Sequence, residues 1–216
     1  MKLFIIPAAV IVLVYTTQAC KSKSADAPKL FCDTACFKDT LKFTGDHKQK
    51  PIVYLTSNAC KGDTLIWSFN GMGADRKTKF DYADAKLNKD YVRCLFKGID
   101  FAYVLFNDCA TGRGFQIKLP YDKSQNFVMK TSGINNIDPK FSISDNLIVN
   151  TDRGNIFVED ITTGKKTMMT FGEKLDIDYN VIHDYIDSVN ITNSRIWVKV
   201  KVKDEWKVIE NKVTLE

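Results

Sequence analysis

Residues 146–164 read NLIVNTDRGNIFVEDITTG, and this stretch decides the fold class. Two runs rich in β-branched and aromatic residues, 147–149 and 156–158, have the composition of β-strands. Between them lie Asp152, Gly154 and Asn155, residue types that tolerate the positive φ angles of a tight hairpin. The stretch therefore predicts an antiparallel hairpin that leads into a further turn at Asp160.

The same pattern recurs along most of the chain. Runs at 52–56, 64–69 and 101–106 are also rich in β-branched and aromatic residues, and Gly, Asn and Asp bound them. We therefore predict an all-β fold built as an antiparallel meander, with its closure left open among propeller-like blades, a β-sandwich and an open barrel.

A weak internal repeat refines this prediction. Asp108, Thr111 and Gly112 align with Asp160, Thr163 and Gly164 as two Asp-x-x-Thr-Gly turns, each set between apolar strands. In such a turn Asp accepts backbone N–H bonds and Gly adopts the left-handed conformation. The spacing resembles the blade repeat of quinoprotein-type and related β-propellers over residues 91–172. The closing Trp of that family is absent, and the chain has room for about four blades.

The N-terminus has the features of an export signal. Lys2 precedes an apolar run at 3–14, and Ala19 is a small residue before a cleavage site. The run is shorter than the roughly 20 residues that span a bilayer. We expect a cleaved signal helix at 1–19, a tether at 20–29 and a single β-rich domain at 30–216.

Cys20 stands directly after the expected cleavage site. Ala19-Cys20 followed by a polar tether resembles the processing site of bacterial lipoproteins, in which the cysteine carries lipid and becomes the new N-terminus. The resemblance implies lipid attachment at Cys20 and a periplasmic or surface location at a membrane. The alternative is ordinary cleavage and secretion, with Cys20 left as a plain terminus.

Six cysteines in an exported chain predict disulfides. If Cys20 carries lipid, five cysteines remain and at least one is unpaired. Two pairings are the candidates, Cys60 with Cys109 or Cys32 with Cys36.

Composition and charge exclude several classes of protein. Of 216 residues, 44% are hydrophobic and 26% are charged, which is incompatible with wholly disordered or low-complexity chains. The net charge of +5 falls to +4 without Lys2, and both signs are interleaved. Nucleic-acid binders usually concentrate Lys and Arg on one face, so nucleic acid is not an expected partner.

No catalytic signature is complete. The chain lacks a nucleophile elbow, a zinc-protease helix motif and a P-loop. With two histidines in all, a Cys/His zinc site is not expected, and we predict no metal and no cofactor. Paired carboxylates for hydrolysis depend on three-dimensional separation, so an exported hydrolase stays an alternative.

The strongest binding feature is the alternating strand at 195–203. Its apolar residues point to one side, whereas Arg195, Trp197, Lys199 and Lys201 point to the other. A tryptophan among cations suits a sugar ring or an anionic polymer. The alternative is a solvated edge strand whose lysines block aggregation.

These features predict an exported, lipid-anchored binding or interaction module of the bacterial cell envelope, with an envelope protein or a polysaccharide as its partner. Two alternatives stay open. One is an exported hydrolase whose site assembles only in the fold, and the other is a secreted small-ligand carrier with disulfides.

Overall fold

The computed structural model describes residues 31–33, 37–81, 85–152, 154–171 and 185–216. These parts of the chain form 15 β-strands and one short 3-10 helix, Lys89–Tyr91. The predicted all-β class is confirmed. The expected signal peptide and tether lie outside the described residues, and so do Cys20 and Cys36.

Within the described ranges no helix is long and apolar enough to cross a membrane.

The first four strands form an antiparallel meander, here called the N-terminal sheet. They are β1 (Leu41–Thr44), β2 (Ile52–Asn58), β3 (Lys61–Ser68) and β4 (Arg76–Lys79). Ala59 and Cys60 make the two-residue turn between β2 and β3, and both have positive φ. Such a turn matches the twist of the two strands that it joins.

Seven strands form the central sheet, in the order β12-β11-β10-β8-β7-β6-β5. They are β5 (Val92–Lys97), β6 (Phe101–Asn107), β7 (Gly114–Pro120), β8 (Val128–Ile134), β10 (Leu147–Asp152), β11 (Asn155–Asp160) and β12 (Lys166–Thr170). All neighbouring pairs are antiparallel. Because β8 pairs with β10, the two Asp-x-x-Thr-Gly turns belong to one continuous sheet rather than to two separate blades.

The C-terminal sheet has the order β15-β14-β13-β9. Its strands are β9 (Phe141–Ile143), β13 (Ile186–Thr192), β14 (Arg195–Val202) and β15 (Glu205–Lys212). Strand β9 runs parallel to β13, and the other pairs are antiparallel. β9 follows β8 of the central sheet along the chain and forms an edge strand of this one.

Two hydrophobic cores join the outer sheets to the central sheet. The N-terminal core lies between β2–β3 and the half of the central sheet made by β5–β8, and includes Val53, Leu55, Leu65, Trp67, Val104, Phe106 and Ile117. The C-terminal core lies between β10–β12 and the C-terminal sheet, and includes Val149, Ile156, Val158, Val189, Ile196, Val198 and Val200. Each fully buried aliphatic or aromatic side chain contributes roughly 1.5–3 kcal/mol. This packing of sheet on sheet fits the sandwich alternative.

The central sheet curls strongly. Tyr103 on β6 approaches Glu159 on β11, with 3.5 Å between Tyr103 Oη and Glu159 Oε1. Three strands separate them, and in a flat sheet their backbones would lie about 19 Å apart. A third apolar cluster of Tyr103, Leu105, Ile148 and Ile161 fills the concave side of this curl.

The disulfide pairings expected from the sequence are wrong. Cys32 is bonded to Cys109, a separation of 77 residues, so neither Cys60–Cys109 nor Cys32–Cys36 forms. Cys60 is itself disulfide-bonded, and Cys94 is a free thiol. Cysteine spacing does not determine the pairing, whereas the fold does: backbone hydrogen bonds hold the Phe31–Cys32 segment against Cys109 O, with N···O distances of 2.9 and 3.3 Å.

Candidate functional site

The C-terminal sheet places the four predicted binding residues on one side of β14. Ile196, Val198 and Val200 are fully buried in the C-terminal core. Arg195, Trp197, Lys199 and Lys201 alternate with them and are half-buried on the opposite side. We call this side, formed by the outward side chains of β13–β15, the outer face.

Strand β15 adds a second tryptophan to the outer face. Trp206 pairs in register with Lys201, and Val208 pairs with Lys199. Trp206 is 46% exposed and Val208 is 59% exposed, which makes them two of the large hydrophobic residues with most exposure. Lys199 Nζ lies 5.7 Å from the centroid of the Trp206 ring. The outer face therefore combines two indole rings with an exposed aliphatic side chain.

A tight turn fixes this register. Lys203 and Asp204 link β14 to β15, and both have positive φ. Asn and Gly usually occupy such positions, so the Lys203-Asp204 turn gives a weak sequence signal. Sequence reasoning missed Trp206 for this reason. Once the turn is recognised, its register places Trp206 on the same side as Lys201 without further information.

Carboxylates and amides accompany the cations of the outer face. Arg195 lies 3.6 Å from Glu210 and donates a 2.9 Å hydrogen bond to Asn190 Oδ1. Lys199 and Lys201 each lie 3.2 Å from a carboxylate, that of Asp187 and that of Asp204 respectively. The outer face thus offers many hydrogen-bonding groups with little excess charge.

Asp187 is held in its ionised form. Its side chain accepts a 3.0 Å hydrogen bond from Ser188, and Lys199 lies beside it. These two contacts lower the pKa of Asp187 despite the opposing effect of burial. The carboxylate therefore stays available as an acceptor through the whole neutral range.

The geometry of the outer face suits a long, flat ligand. Trp197 and Trp206 are four register positions and one strand apart, which corresponds to about 14 Å between their backbones. Indole rings present broad apolar surfaces, and the charged and amide groups between them supply donors and acceptors. This is the chemistry that binds a polymer of hydroxylated rings.

The two Asp-x-x-Thr-Gly segments form turns with the same hydrogen bonds. Gly112 N donates to Asp108 O and Gly164 N donates to Asp160 O, both at 2.7 Å, and both glycines have positive φ. Thr111 N and Thr163 N donate to the Asp side chains at 3.0 and 3.3 Å. These groups are engaged in shaping hairpins, so the turns have a structural role.

The concave side of the central sheet holds a charged cluster that the sequence did not indicate. Lys118 Nζ and Lys166 Nζ each lie 3.6 Å from the carboxylate of Glu159, whose side chain is 13% exposed. Lys130 Nζ donates a 2.7 Å hydrogen bond to Asn150 Oδ1. Burial lowers the pKa of Lys130, and Glu159 opposes this change. The Lys118–Glu159 ion pair links β7 to β11, two strands that the curl of the sheet brings within reach of each other.

One cavity beside the N-terminal sheet bears on the hydrolase alternative. It has a volume of about 480 Å³ and is lined by Asp63 and Asp81 together with Lys61 and Lys79. Both aspartates are exposed. A carboxylic acid that donates a proton near neutral pH is usually desolvated instead. Among the residues that the structure describes, no three His, Cys, Asp or Glu side chains converge as metal ligands would.

No protein-family model matches the chain, and no curated protein is significantly similar to it in sequence. The fold itself defines the class: an all-β protein of antiparallel sheets, with sheet-on-sheet packing and a disulfide.

Proposed function

We propose that the protein is an exported, lipid-anchored binding module of the bacterial cell envelope, and that it binds a polysaccharide through the outer face. The export signal, Cys20 and the polar tether support the location. The Cys32–Cys109 disulfide supports it as well, because such bonds persist in non-reducing compartments.

One observation carries the choice of ligand. Trp197 and Trp206 lie on the outer face of the C-terminal sheet, with Lys199 and Val208 between them in the register of β14 and β15. Trp206 is 46% exposed, so nearly half of its surface stays in contact with water in the folded protein. Stacking on a ring is a use for which this exposure is suited.

The charge pattern favours a hydroxyl-rich polymer over a densely anionic one. Arg195, Lys199 and Lys201 each have a carboxylate partner within 3.6 Å. A polyanion would have to compete with these carboxylates, whereas hydroxyl groups bond to cations and carboxylates alike. Binding should therefore depend only weakly on salt concentration.

Binding is tested by titrating the mature domain with soluble envelope polysaccharide in a calorimeter. Trp206→Ala should weaken binding about tenfold, the loss expected for an exposed aromatic anchor. It should cost less stability than truncation of a fully buried tryptophan, because nearly half of the side chain is already exposed, and the variant should stay folded at the temperature of the titration. Tyr54→Ala is the matched control, since Tyr54 also lies beside a cation, Lys42, but on the N-terminal sheet.

Equal affinities for the wild type, Trp206→Ala and Tyr54→Ala would contradict a role of the outer face. A new reducing sugar end generated during the titration would instead support the hydrolase alternative. Loss of all binding at moderate salt would identify a densely anionic ligand and would overturn the hydroxyl-rich polymer.

The location is tested by intact mass of the protein recovered from membranes, with and without reductant. Acyl mass on Cys20 is expected, and a Cys20→Ala variant should appear in the soluble exported fraction. An unmodified Cys20 in the wild type would contradict lipid anchoring.

A further inference from the structure

Lysine side chains from opposite parts of the curled central sheet converge on its concave side. Lys118 on β7 and Lys166 on β12 share the carboxylate of Glu159, each at 3.6 Å. Lys118 Nζ also lies 4.0 Å from the centroid of the Phe101 ring, and Lys97 Nζ lies 5.6 Å from the same centroid. An aromatic ring attracts a cation but does not neutralise its charge. Among the described side chains at this point, three ammonium groups therefore meet one carboxylate.

Lys130 on β8 adds a fourth ammonium group, which donates a hydrogen bond to an uncharged amide at 2.7 Å. Burial lowers the pKa of Lys130, and the charges of Lys166 and Lys118 lower it further. The carboxylates of Glu159 and Asp152 act in the opposite direction. These mutual effects place the charges in one electrostatic group. We call the four cations the lysine cluster: Lys97, Lys118, Lys130 and Lys166. It carries more positive charge than the two described carboxylates neutralise.

The ammonium groups of the lysine cluster can be reached from solvent. The side chain of Lys166 is 68% exposed and that of Lys118 is 31% exposed. Lys97 and Lys130 are half-buried. An anion can therefore reach the cluster without any opening of the fold. On a concave surface the fields of like charges add, which raises the local concentration of a ligand of opposite sign.

Exposed apolar side chains lie directly beside the lysine cluster. Val128 on β8 pairs in register with Lys118, and Met168 follows Lys166 by two positions on β12. Cross-strand partners, and residues two apart on one strand, point to the same side of a sheet. Val128 and Met168 are both among the exposed large hydrophobic residues of the described chain. The concave side thus offers apolar surface next to its cations.

We propose that the lysine cluster binds a single amphipathic anion, an alkyl or acyl chain that ends in a phosphate or carboxylate group. The anionic group lies among the ammonium groups, and the chain packs beside them on Met168 and Val128. The concave shape favours one molecule over a membrane surface, because a bilayer is flat and would reach Lys166 more readily than the half-buried lysines. The site lies on the central sheet and is separate from the outer face, so it gives the module a second ligand.

The test is a calorimetric titration of the full mature protein with octyl phosphate, below its micellar concentration. Inorganic phosphate supplies the anionic group alone, and octanol supplies the chain alone. Octyl phosphate should bind at least about tenfold more tightly than either, because only it uses both the cations and the apolar surface. Octanoate is titrated in parallel. Tighter binding of octyl phosphate identifies a phosphate group as the preferred head, tighter binding of octanoate identifies a carboxylate, and either result supports the site.

Two substitutions test the charged part of the site. Lys118→Gln should weaken binding of octyl phosphate about fivefold, because it removes a charged hydrogen-bond donor. Lys42→Gln makes the same change in charge on β1, where Lys42 also lies beside an aromatic ring, and should leave binding unchanged. Glu159→Gln should tighten binding, because it removes the carboxylate that competes for Lys118 and Lys166. A merely structural role of Glu159 would not produce this gain.

A third substitution tests the apolar part. Met168→Gln, at an exposed position, should weaken binding of octyl phosphate but not of inorganic phosphate. Trp206→Ala should change neither, which separates this site from the proposed polysaccharide face. Equal affinities of the wild type for octyl phosphate and inorganic phosphate, or no saturable binding of octyl phosphate, would overturn the proposal. Equal losses in Lys118→Gln and Lys42→Gln would do so as well. Binding to vesicles of anionic phospholipid without binding of octyl phosphate would identify a membrane surface instead and would also overturn it.

Discussion

The Cys32–Cys109 disulfide should be a major source of stability, and the structure gives the magnitude. The bond closes a loop of 77 residues, and in the chain-entropy treatment a loop of this length stabilises the folded state by about 4.5 kcal/mol. Both cysteines are buried, Cys109 completely. We therefore expect the Cys32→Ala/Cys109→Ala double variant to lose about 4 kcal/mol of unfolding free energy.

Urea unfolding of the double variant, followed by tryptophan fluorescence and circular dichroism, measures this loss. For a protein of this size, 1 kcal/mol corresponds to roughly 2–4 °C in Tm, so Tm should fall by roughly 10–15 °C. The m-value should rise, because the unfolded chain without the crosslink exposes more surface. Substitution is preferred to reduction, since Cys60 is also disulfide-bonded and a reductant would break both bonds.

Cys94→Ala is the matched control, because Cys94 is a half-buried free thiol and closes no loop. It should cost about 1 kcal/mol or less. If the double variant lost no more stability than Cys94→Ala, the entropic account of the bond would be refuted. The same result with an unchanged m-value would show that noncovalent contacts, among them the hydrogen bonds to Cys109 O and the Phe31–Tyr91 ring contact, hold Phe31 and Cys32 without the disulfide.

Three further outcomes follow from single sites. Gly114→Ala should lower the free energy of unfolding in urea by more than about 2 kcal/mol, because its Cβ would lie 2.0 Å from the backbone oxygen of Gly133 on β8. Gly73→Ala has open space around it and should lower the free energy of unfolding by only about 1 kcal/mol, through backbone strain. Burial opposes ionisation of Asp160, but hydrogen bonds from the following turn, Thr162 first, lower its pKa. Because the pKa of Asp160 is lower in the folded state than in the unfolded state, its ionised side chain stabilises the fold above about pH 4. This contribution is lost as pH falls through the folded-state pKa. Asp160→Asn should therefore make the free energy of unfolding depend less on pH, as measured by urea unfolding across this range. Burial raises the pKa of the half-buried Cys94 thiol, so iodoacetamide at pH 8 should label Cys94 more slowly in the native protein than in the unfolded chain. Equal labelling rates in the two states would contradict this effect of burial.

Local chemistry explains why the strands and turns were predictable. The predicted run at 101–106 corresponds to β6, and the run at 52–56 lies within β2. In β2 the apolar residues alternate around one buried side, whereas β6 is a continuous apolar run that is buried on both sides. Either signal is contained in a few consecutive residues. The turn at Asp160 was predictable for the same reason, since its acceptor and its donors lie within four residues.

The closure of the sheets was not predictable, because it depends on contacts between distant segments. Nothing local to β8 indicates that it pairs with β10 while β9 leaves to pair with β13. The Lys118–Glu159 contact exists only because the central sheet curls. The disulfide has the same character, since Cys109 is bonded to a cysteine 77 residues away that the fold, and not the spacing of the cysteines, brings beside it.

The residues that β14 contributes to the outer face could be predicted from the sequence, but those of β15 could not. Alternation along β14 was sufficient to place Arg195, Trp197, Lys199 and Lys201 on one side. Trp206 needed the register of the next hairpin, whose Lys203-Asp204 turn lacks the usual residues. The cavity of about 270 Å³ that Gln116 helps to line could not be found from sequence at all, because its walls come from six separate strands and the connections between them.

The position of the disulfide bears on how the outer face would be displayed. Phe31 and Cys32 are held at the turn between β6 and β7, in the half of the central sheet that packs against the N-terminal sheet. The outer face belongs to the C-terminal sheet, which packs against the other half. A chain tethered to a membrane through residues before Phe31 would therefore be attached at one half of the central sheet and would present its two tryptophans from the other. Without the Cys32–Cys109 bond, noncovalent contacts alone would hold this segment, among them the two backbone hydrogen bonds to Cys109 O and the edge-to-face contact of Phe31 with Tyr91. The double variant should therefore weaken display on cells even where the isolated domain still binds its ligand.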